Sequence, residues 1–208
     1  ITAEQIDIII FATLSAEMQF PGNGVFLQTK LGLKRTPAHD VRNQCSGFIY
    51  GLSVADAFIR TGTYERILLI GAEVHSSGLE FADRGRDVTV VFGDGGAAVV
   101  LGPGEEGDER GVLSTHLHAD GRFAEELHGS YPTSAENPRL DVARLPSGIH
   151  HPQMNGRNVF KHAVVRMPEA VQEALQHNNL TTSDLKLLIP HQANLRISEM
   201  VQRRLELR

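Results

Sequence analysis

Cys45 is the only cysteine in the 208 residues, and it stands where a thiol could act as a nucleophile. The run Asp40-Val41-Arg42-Asn43-Gln44-Cys45-Ser46-Gly47-Phe48 passes from a short extended segment into an apolar, small-residue helix. A helix N-terminus offers free backbone N–H groups and the positive end of the dipole, and both favour a thiolate. Such a nucleophile needs a partner base. Far downstream, Ile189-Pro190-His191-Gln192-Ala193-Asn194 presents a histidine just after a short apolar run. A cysteine with a distant histidine points to covalent catalysis. Both residues also have plainer readings. Most lone cysteines are buried structural thiols; here the polar or tiny neighbours Asn43, Gln44, Ser46 and Gly47 argue against an inert core thiol. His191 is one of ten histidines. What sets it apart is its delivery by an apolar strand and a stiffening proline, because ligands bind at the C-terminal ends of strands in open α/β sheets.

Other groupings offer less. His150-His151 and the His116/His118 pair have no carboxylate or thiol at ligand spacing, so they read as loop histidines rather than a metal site. Gly93-Asp94-Gly95 lacks the Lys-Ser/Thr of a phosphate loop and reads as a tight hairpin turn. No metal and no cofactor is expected.

The elements that must position Cys45 and His191 follow from periodicity. Ile6 to Ala12 is a near-continuous apolar run, the signature of a strand buried on both faces. Val25 to Leu31 reads as a helix closed by Gly32, and Ala38 to Val41 as a short strand. Phe48, Leu52, Ala55 and Ile59 share one helical face, with Gly62 ending that helix. Ile67 to Gly71 is another buried strand. This alternation predicts a parallel sheet with helices on its faces. Val88 to Phe92 and Ala97 to Leu101 then read as an antiparallel hairpin, with Gly111 to His118 continuing as a strand. Ala119 to Pro152 has no clear period and reads as a surface cover. A helix over about Asn158 to Asn178 carries Pro168, which predicts a kink or break. A cap at Thr182 or Ser183, a strand from Leu185 to Ile189 and a helix from Asn194 complete the pattern.

Composition narrows the function classes. The chain is 41% hydrophobic, with twenty glycines and no tryptophan, which suits a closely packed α/β protein. A net charge of -5, with both signs interspersed, favours neither nucleic acid nor an anionic membrane. No segment has the roughly 18 apolar residues of a membrane span. A single cysteine excludes an internal disulfide framework and fits a cytoplasmic protein.

Taken together, four stretches resemble the β-ketoacyl-acyl-carrier-protein synthase III family of condensing enzymes, within the thiolase superfamily. They are Ala12-Thr13-Leu14-Ser15 with Phe20-Pro21; Asp40 to Gly47 with Phe48; Asp83-Arg84-Gly85 through Gly93-Asp94-Gly95; and Asn155-Gly156, Val159-Phe160-Lys161 and Pro190 to Ile197. The resemblance implies a thiolase-like α/β fold of αβαβα layers, incomplete in this chain. Residues 1–103 would form the nucleophile-bearing half, 104–152 an irregular cover and 153–208 the start of a second half. It implies that Cys45 takes an acyl group from acyl-CoA, its N–H forming part of an oxyanion hole. His191 would stabilise the enolate formed when malonyl-acyl-carrier protein loses carbon dioxide. Arg84 and Asn194 would lie near the CoA, Arg196 at the carrier-protein docking surface, and Phe20 across a homodimer interface at the partner's acyl pocket. Glu17 falls at the mouth of the acyl pocket, where the resemblance leads one to expect a less polar residue. It leaves room for a sister enzyme in which Glu17 is a base for a non-malonyl donor. A further catalytic asparagine, a glycine-rich loop and an N-terminal strand region of the family have no counterpart in these residues. A silent partner subunit and a cysteine hydrolase are the competing classes; the first is disfavoured by retention of both Cys45 and His191, the second by the lack of a carboxylate beside His191.

Overall fold

A computed structural model describes every residue except Glu106, Glu109 and Arg208. Two compact units are present: Ile1–Val74 with Asp94–Leu117, and His75–Gly93 with His118 onward.

The first unit is a mixed four-stranded sheet. Its elements are β1 (Ile8–Ala12), α1 (Asn23–Lys30), β2 (Ala38–Val41), α2 (Gly47–Arg60), β3 (Ile67–Glu73) and β4 (Gly95–Leu101). The sheet order is β2-β1-β3-β4, with β1 parallel to both neighbours and β4 antiparallel to β3. All five residues of β1 are buried, as its unbroken apolar run requires of a central parallel strand. One face of the sheet packs Ile8, Ile10, Ile67 and Leu69 against Phe48, Leu52, Ala55 and Ile59 of α2. The other packs Ile9, Phe11 and Ile70 against Leu27 and Leu31 of the α1 region. Gly51 lets α2 lie close to the sheet: a Cβ there would meet Leu69 Cδ1 at 2.6 Å and Ile10 Cγ2 at 3.3 Å. Gly32 and Gly62 follow their helices with φ of 74° and 67°, the left-handed closure that glycine favours.

The α1 N-terminus is capped from outside its own sequence. Asp40, on β2, accepts hydrogen bonds from Asn23 N at 2.5 Å and Gly24 N at 3.0 Å. The carboxylate satisfies two of the four N–H groups a helix start leaves unpaired. It sits so close that any Cβ on Gly22 would overlap it, at 2.3 Å.

The second unit contains α3 (Arg86–Thr89), the two-stranded pair β5 (Leu127–His128) and β6 (Gln153–Met154), α4 (Gly156–His177) and α5 (Leu195–Arg204). Val164 of α4, Ile197 and Val201 of α5, and Leu205 form its core. Asn155 caps α4 and Asn194 caps α5, each side chain accepting a backbone N–H. Apart from β5, residues between Ala119 and Pro152 form two short 3-10 helices, Gly121–Glu126 and Val142–Ser147, and irregular backbone, in keeping with their lack of period.

Four sequence readings are corrected. Val88 to Phe92 is not the first arm of a hairpin. It falls in and after α3, where Val88 is buried and Thr89 Oγ1 donates to the Glu80 carbonyl at 2.9 Å. β4 pairs with β3 instead. Gly111 to His118 forms no strand: Arg60 donates to Val112 O and Thr115 to Ser53 Oγ, so the segment is held along α2 rather than at a sheet edge. Leu185 to Ile189 is also no strand, because among the described residues no neighbouring strand pairs with it; Leu187 and Ile189 are exposed, beside an open groove of about 1070 Å³ lined by Leu185, Pro190, Gln192 and Leu195. Finally, α4 runs on through Pro168 without a break. The proline removes one hydrogen bond, yet it is buried within the same helix as Val164 and Leu175.

Candidate active site

Parallel pairing sets the site's location. The C-terminal ends of β1, β2 and β3 all lie at one end of the sheet, so Thr13 to Ser15, Arg42 to Cys45 and Glu73 leave the sheet together. This is the end at which open α/β sheets bind ligands.

Cys45 occupies a one-turn 3-10 helix, Gln44–Ser46, that leads directly into α2. Gln44 has φ of 45°, a left-handed conformation that costs roughly 1–2 kcal/mol for a non-glycine residue. That turn swings the following thiol outward, and Cys45 is exposed. Strain adjacent to a reactive side chain is a common feature of functional sites. Small residues bring the turn close to the sheet end. Gly47 is buried, and a Cβ on it would sit 3.2 Å from Ala12 Cβ.

The thiol does not follow the helix-dipole expectation. Its pKa is raised, chiefly by desolvation and also by the charge of Glu73, against a lowering hydrogen bond from its own backbone N–H. The residue as a whole is exposed, while the protein around the sulfur still removes enough water to disfavour a thiolate. Cys45 lies directly before Ser46, the N-cap of α2, so desolvation opposes whatever the helix start contributes to a thiolate.

Glu73, at the end of β3, was not singled out by the sequence. Its carboxylate accepts from Leu14 N at 2.9 Å, Ser15 N at 3.0 Å, Ser15 Oγ at 2.6 Å and Thr13 Oγ1 at 3.2 Å. Ser15 Oγ in turn accepts from Val74 N at 2.8 Å. A charged residue closing an apolar strand is the signal the sequence offers. Asp40 likewise has no sequence signal beyond flanking Cys45.

In the first unit, Glu17 is exposed; its N–H donates to Asn23 Oδ1 at 2.9 Å. Phe20 is 83% exposed. Glu17 and Phe20 share this unit with Cys45 and lie in the crossing between β1 and α1. In the second unit, His191 is exposed ahead of α5. Asn194 is two roles deep in α5: it is the N-cap, with Oδ1 accepting Arg196 N at 2.9 Å. Arg196 is exposed. Arg84 is engaged by Glu80, through Nε at 2.9 and 3.0 Å and Nη2 at 2.5 Å, and donates to Pro146 O at 3.3 Å.

A sequence profile of 3-oxoacyl-[acyl-carrier-protein (ACP)] synthase III matches residues 39–121. The chain is 43% identical, over 206 residues, to the β-ketoacyl-[acyl-carrier-protein] synthase III of Acidiphilium cryptum, covering 99% of this chain and 61% of that relative. Its structure resembles the crystal structure of 3-oxoacyl-[acyl-carrier-protein] synthase III from Aquifex aeolicus, with a TM-score of 0.86 and 35% identity, over 99% of this chain and 60% of that one. A priming β-ketosynthase from a polyketide biosynthetic pathway gives a TM-score of 0.82 at 28% identity, over 100% and 59% of the two chains.

The mixed sheet with its cysteine turn therefore has the thiolase-like α/β fold of condensing enzymes. Within that class the chain is similar, along nearly its whole length, to the β-ketoacyl-[acyl-carrier-protein] synthase III family. It spans about three fifths of the length of the curated relatives it matches. Among the described residues, no helix is long and apolar enough to cross a membrane.

Proposed function

We propose that the protein is an acyltransferase of the β-ketoacyl-acyl-carrier-protein synthase III type. The observation that carries this reading is Cys45 itself: exposed, on a left-handed turn, at the ligand-binding end of a parallel sheet, in a chain similar to that family. The sulfur attacks the carbonyl carbon of an acyl-CoA. CoA leaves as its thiol, carrying the proton Cys45 gives up, and the acyl group stays as a thioester. Malonyl-acyl-carrier protein then loses carbon dioxide. The electron pair of the broken C–C bond forms an enolate, whose carbon attacks the Cys45 thioester. The β-ketoacyl product leaves on the carrier, and the sulfur regains a proton.

His191 serves as the hydrogen-bond donor to the enolate oxygen. No general base is needed for the carbanion, because decarboxylation creates it. Asn194 and Arg84 meet the CoA, with a nucleotide phosphate competing against Glu80 for the Arg84 guanidinium. Arg196 meets the acidic carrier protein. Phe20 and Met18, both exposed in the crossing between β1 and α1, support a homodimer in which Phe20 closes the partner's acyl pocket. The lone free thiol suits the cytoplasm. The reaction needs no bound cofactor.

The test is condensation by the full-length protein, followed as carbon dioxide release and β-ketoacyl product from acyl-CoA and malonyl-carrier protein. Cys45→Ala should abolish product; retention of product by that variant would refute the assignment. A second reading is favoured by Glu17, whose carboxylate takes no hydrogen bond among the described residues, and by the likeness to a polyketide priming enzyme. In it Glu17 deprotonates a second acyl-CoA for head-to-head condensation. If Glu17→Gln leaves condensation of two acyl-CoAs untouched, that role fails.

A further inference from the structure

The hydroxyl of Ser46 points the opposite way from that of an ordinary N-cap serine. Ser46 is the N-cap of α2, where a serine oxygen ordinarily accepts a hydrogen bond from an N–H of the first helical turn. Ser46 makes no such bond. Its Oγ instead donates backward to the Asn43 carbonyl at 2.9 Å. Ser46 N donates to the same carbonyl at 3.1 Å. Asn43 O therefore accepts two hydrogen bonds from one residue, one for each of its lone pairs. Together they close the four-residue turn Asn43-Gln44-Cys45-Ser46, whose two central residues are Gln44 and Cys45.

The turn needs that closure. Gln44 has φ of 45°. Glycine adopts such a conformation freely, and a short asparagine or aspartate side chain can support it with a local hydrogen bond. Glutamine has neither advantage, so its surroundings must hold it there. The flanks of the turn are fixed. Val41, at the end of β2, is buried, and its carbonyl accepts from Thr13 N at 3.2 Å. On the other side Gly47 is buried against Ala12, and its N–H donates to Gln44 O. Between these points Arg42, Gln44, Cys45 and Ser46 are all exposed. Packing gives the turn little support, and its own hydrogen bonds supply the rest.

We propose that Ser46 is a positioning residue for Cys45: its backward hydroxyl bond locks the left-handed turn at Gln44 and so keeps the thiol where a substrate can reach it. The proposal rests on the reading of Cys45 as the acyl-accepting nucleophile. Without the hydroxyl, one bond remains to hold a strained residue, and Gln44 relaxes toward conformations with negative φ in which the sulfur is turned away. The role is one of placement. It bears on the rate of reaction at the sulfur and leaves the affinity for acyl-CoA alone.

The experiment follows two rates at Cys45 in the full-length protein by peptide mass mapping. One is acylation by acetyl-, hexanoyl- and octanoyl-CoA over a range of concentrations. The other is alkylation by iodoacetamide on the alkaline plateau of its pH profile, where the rate reads access to the sulfur and not its ionisation. Ser46→Ala should slow both by roughly three- to tenfold, the weight of one hydrogen bond, with the half-saturating acyl-CoA concentration unchanged. Ser46→Thr keeps the hydroxyl and should stay within about twofold of wild type. Gln44→Gly added to Ser46→Ala should return both rates to near wild type, because glycine holds a left-handed turn without the extra bond. Ser46 is exposed, so these variants should fold, and thermal melting checks that they do. Wild-type rates in Ser46→Ala overturn the proposal. So does a slow Ser46→Ala that Gln44→Gly fails to restore, since Ser46 would then act by a route other than the turn. Alkylation needs no acyl-CoA. A wild-type protein that takes no acyl group from any donor, yet shows this order of alkylation rates, would refute the proposed function and leave the role of Ser46 standing. A wild-type protein that is acylated no faster than Ser46→Ala would do the reverse.

Discussion

Gly51 is where the placement of Cys45 can be challenged from a distance. The helix that follows the cysteine lies close to the sheet because Gly51 has no Cβ. Gly51→Ala would put a methyl 2.6 Å from Leu69 Cδ1 and 3.3 Å from Ile10 Cγ2. Ordinary carbon contacts are about 3.5–4.0 Å, so the first contact is about 1 Å too close. Leu69 and Ile10 are both 0% exposed and have little room to move. Overpacking of this kind costs typically about 1–3 kcal/mol. Replacing glycine by alanine in a helix interior returns about 1 kcal/mol of backbone entropy and propensity. The net expectation is a loss of about 1 kcal/mol, or roughly 2–4 °C in Tm. Gly121→Ala, where the added Cβ meets nothing within 4 Å, should stay within about 0.5 kcal/mol of wild type. Thermal and denaturant unfolding of full-length variants measure both. Leu69→Val shortens the opposing side chain, so the Gly51→Ala/Leu69→Val pair should be more stable than the sum of the single effects. Equal or greater stability in Gly51→Ala, or strict additivity in the pair, would refute the claim that glycine is required there for close approach.

Other expectations follow from named contacts. Gly148 has φ of 78°, and a Cβ there would sit 2.5 Å from Arg84 Nη2; Gly148→Ala should destabilise by about 1–2 kcal/mol, read by thermal melting. Asp40→Asn loses the charge, and one of its two acceptor oxygens, at the α1 N-terminus, and should cost about 1 kcal/mol in denaturant unfolding. Hydrogen bonds from Arg84 hold the Glu80 carboxyl below its ordinary value of 4.5. A depressed carboxylate stabilises the fold above its unfolded pKa and loses that contribution as pH falls through the folded one. Stability should therefore fall more steeply below about pH 4.5 in wild type than in Glu80→Gln, and identical acid limbs would contradict the pairing.

Much of the first unit was legible in the sequence because burial leaves a pattern. β1 and β3 are continuous apolar runs, and α2 repeats Phe48, Leu52, Ala55 and Ile59 on one face. What the sequence hid was partnership. Val88 to Phe92 has strand-forming residues, yet Thr89 finds its partner in the Glu80 carbonyl and the segment turns helical. Leu185 to Ile189 has the composition of a strand and no strand to pair with among the described residues. The site divides in the same way. Cys45 was visible as a lone thiol in polar company, and the turn that exposes it was foretold only as a helix start. Glu73 and Asp40 were invisible in their roles, because a single acid at a strand end carries no period. Their partners, Leu14, Ser15, Asn23 and Gly24, come from other parts of the chain.

The central claim is that Cys45 accepts an acyl group. Full-length protein incubated with acetyl-, hexanoyl- and octanoyl-CoA, digested and mapped by mass spectrometry, tests it most directly. The account predicts an acyl mass on the Cys45 peptide with at least one of these donors, lost in Cys45→Ala. No adduct with any donor, or an adduct on another residue, would contradict it.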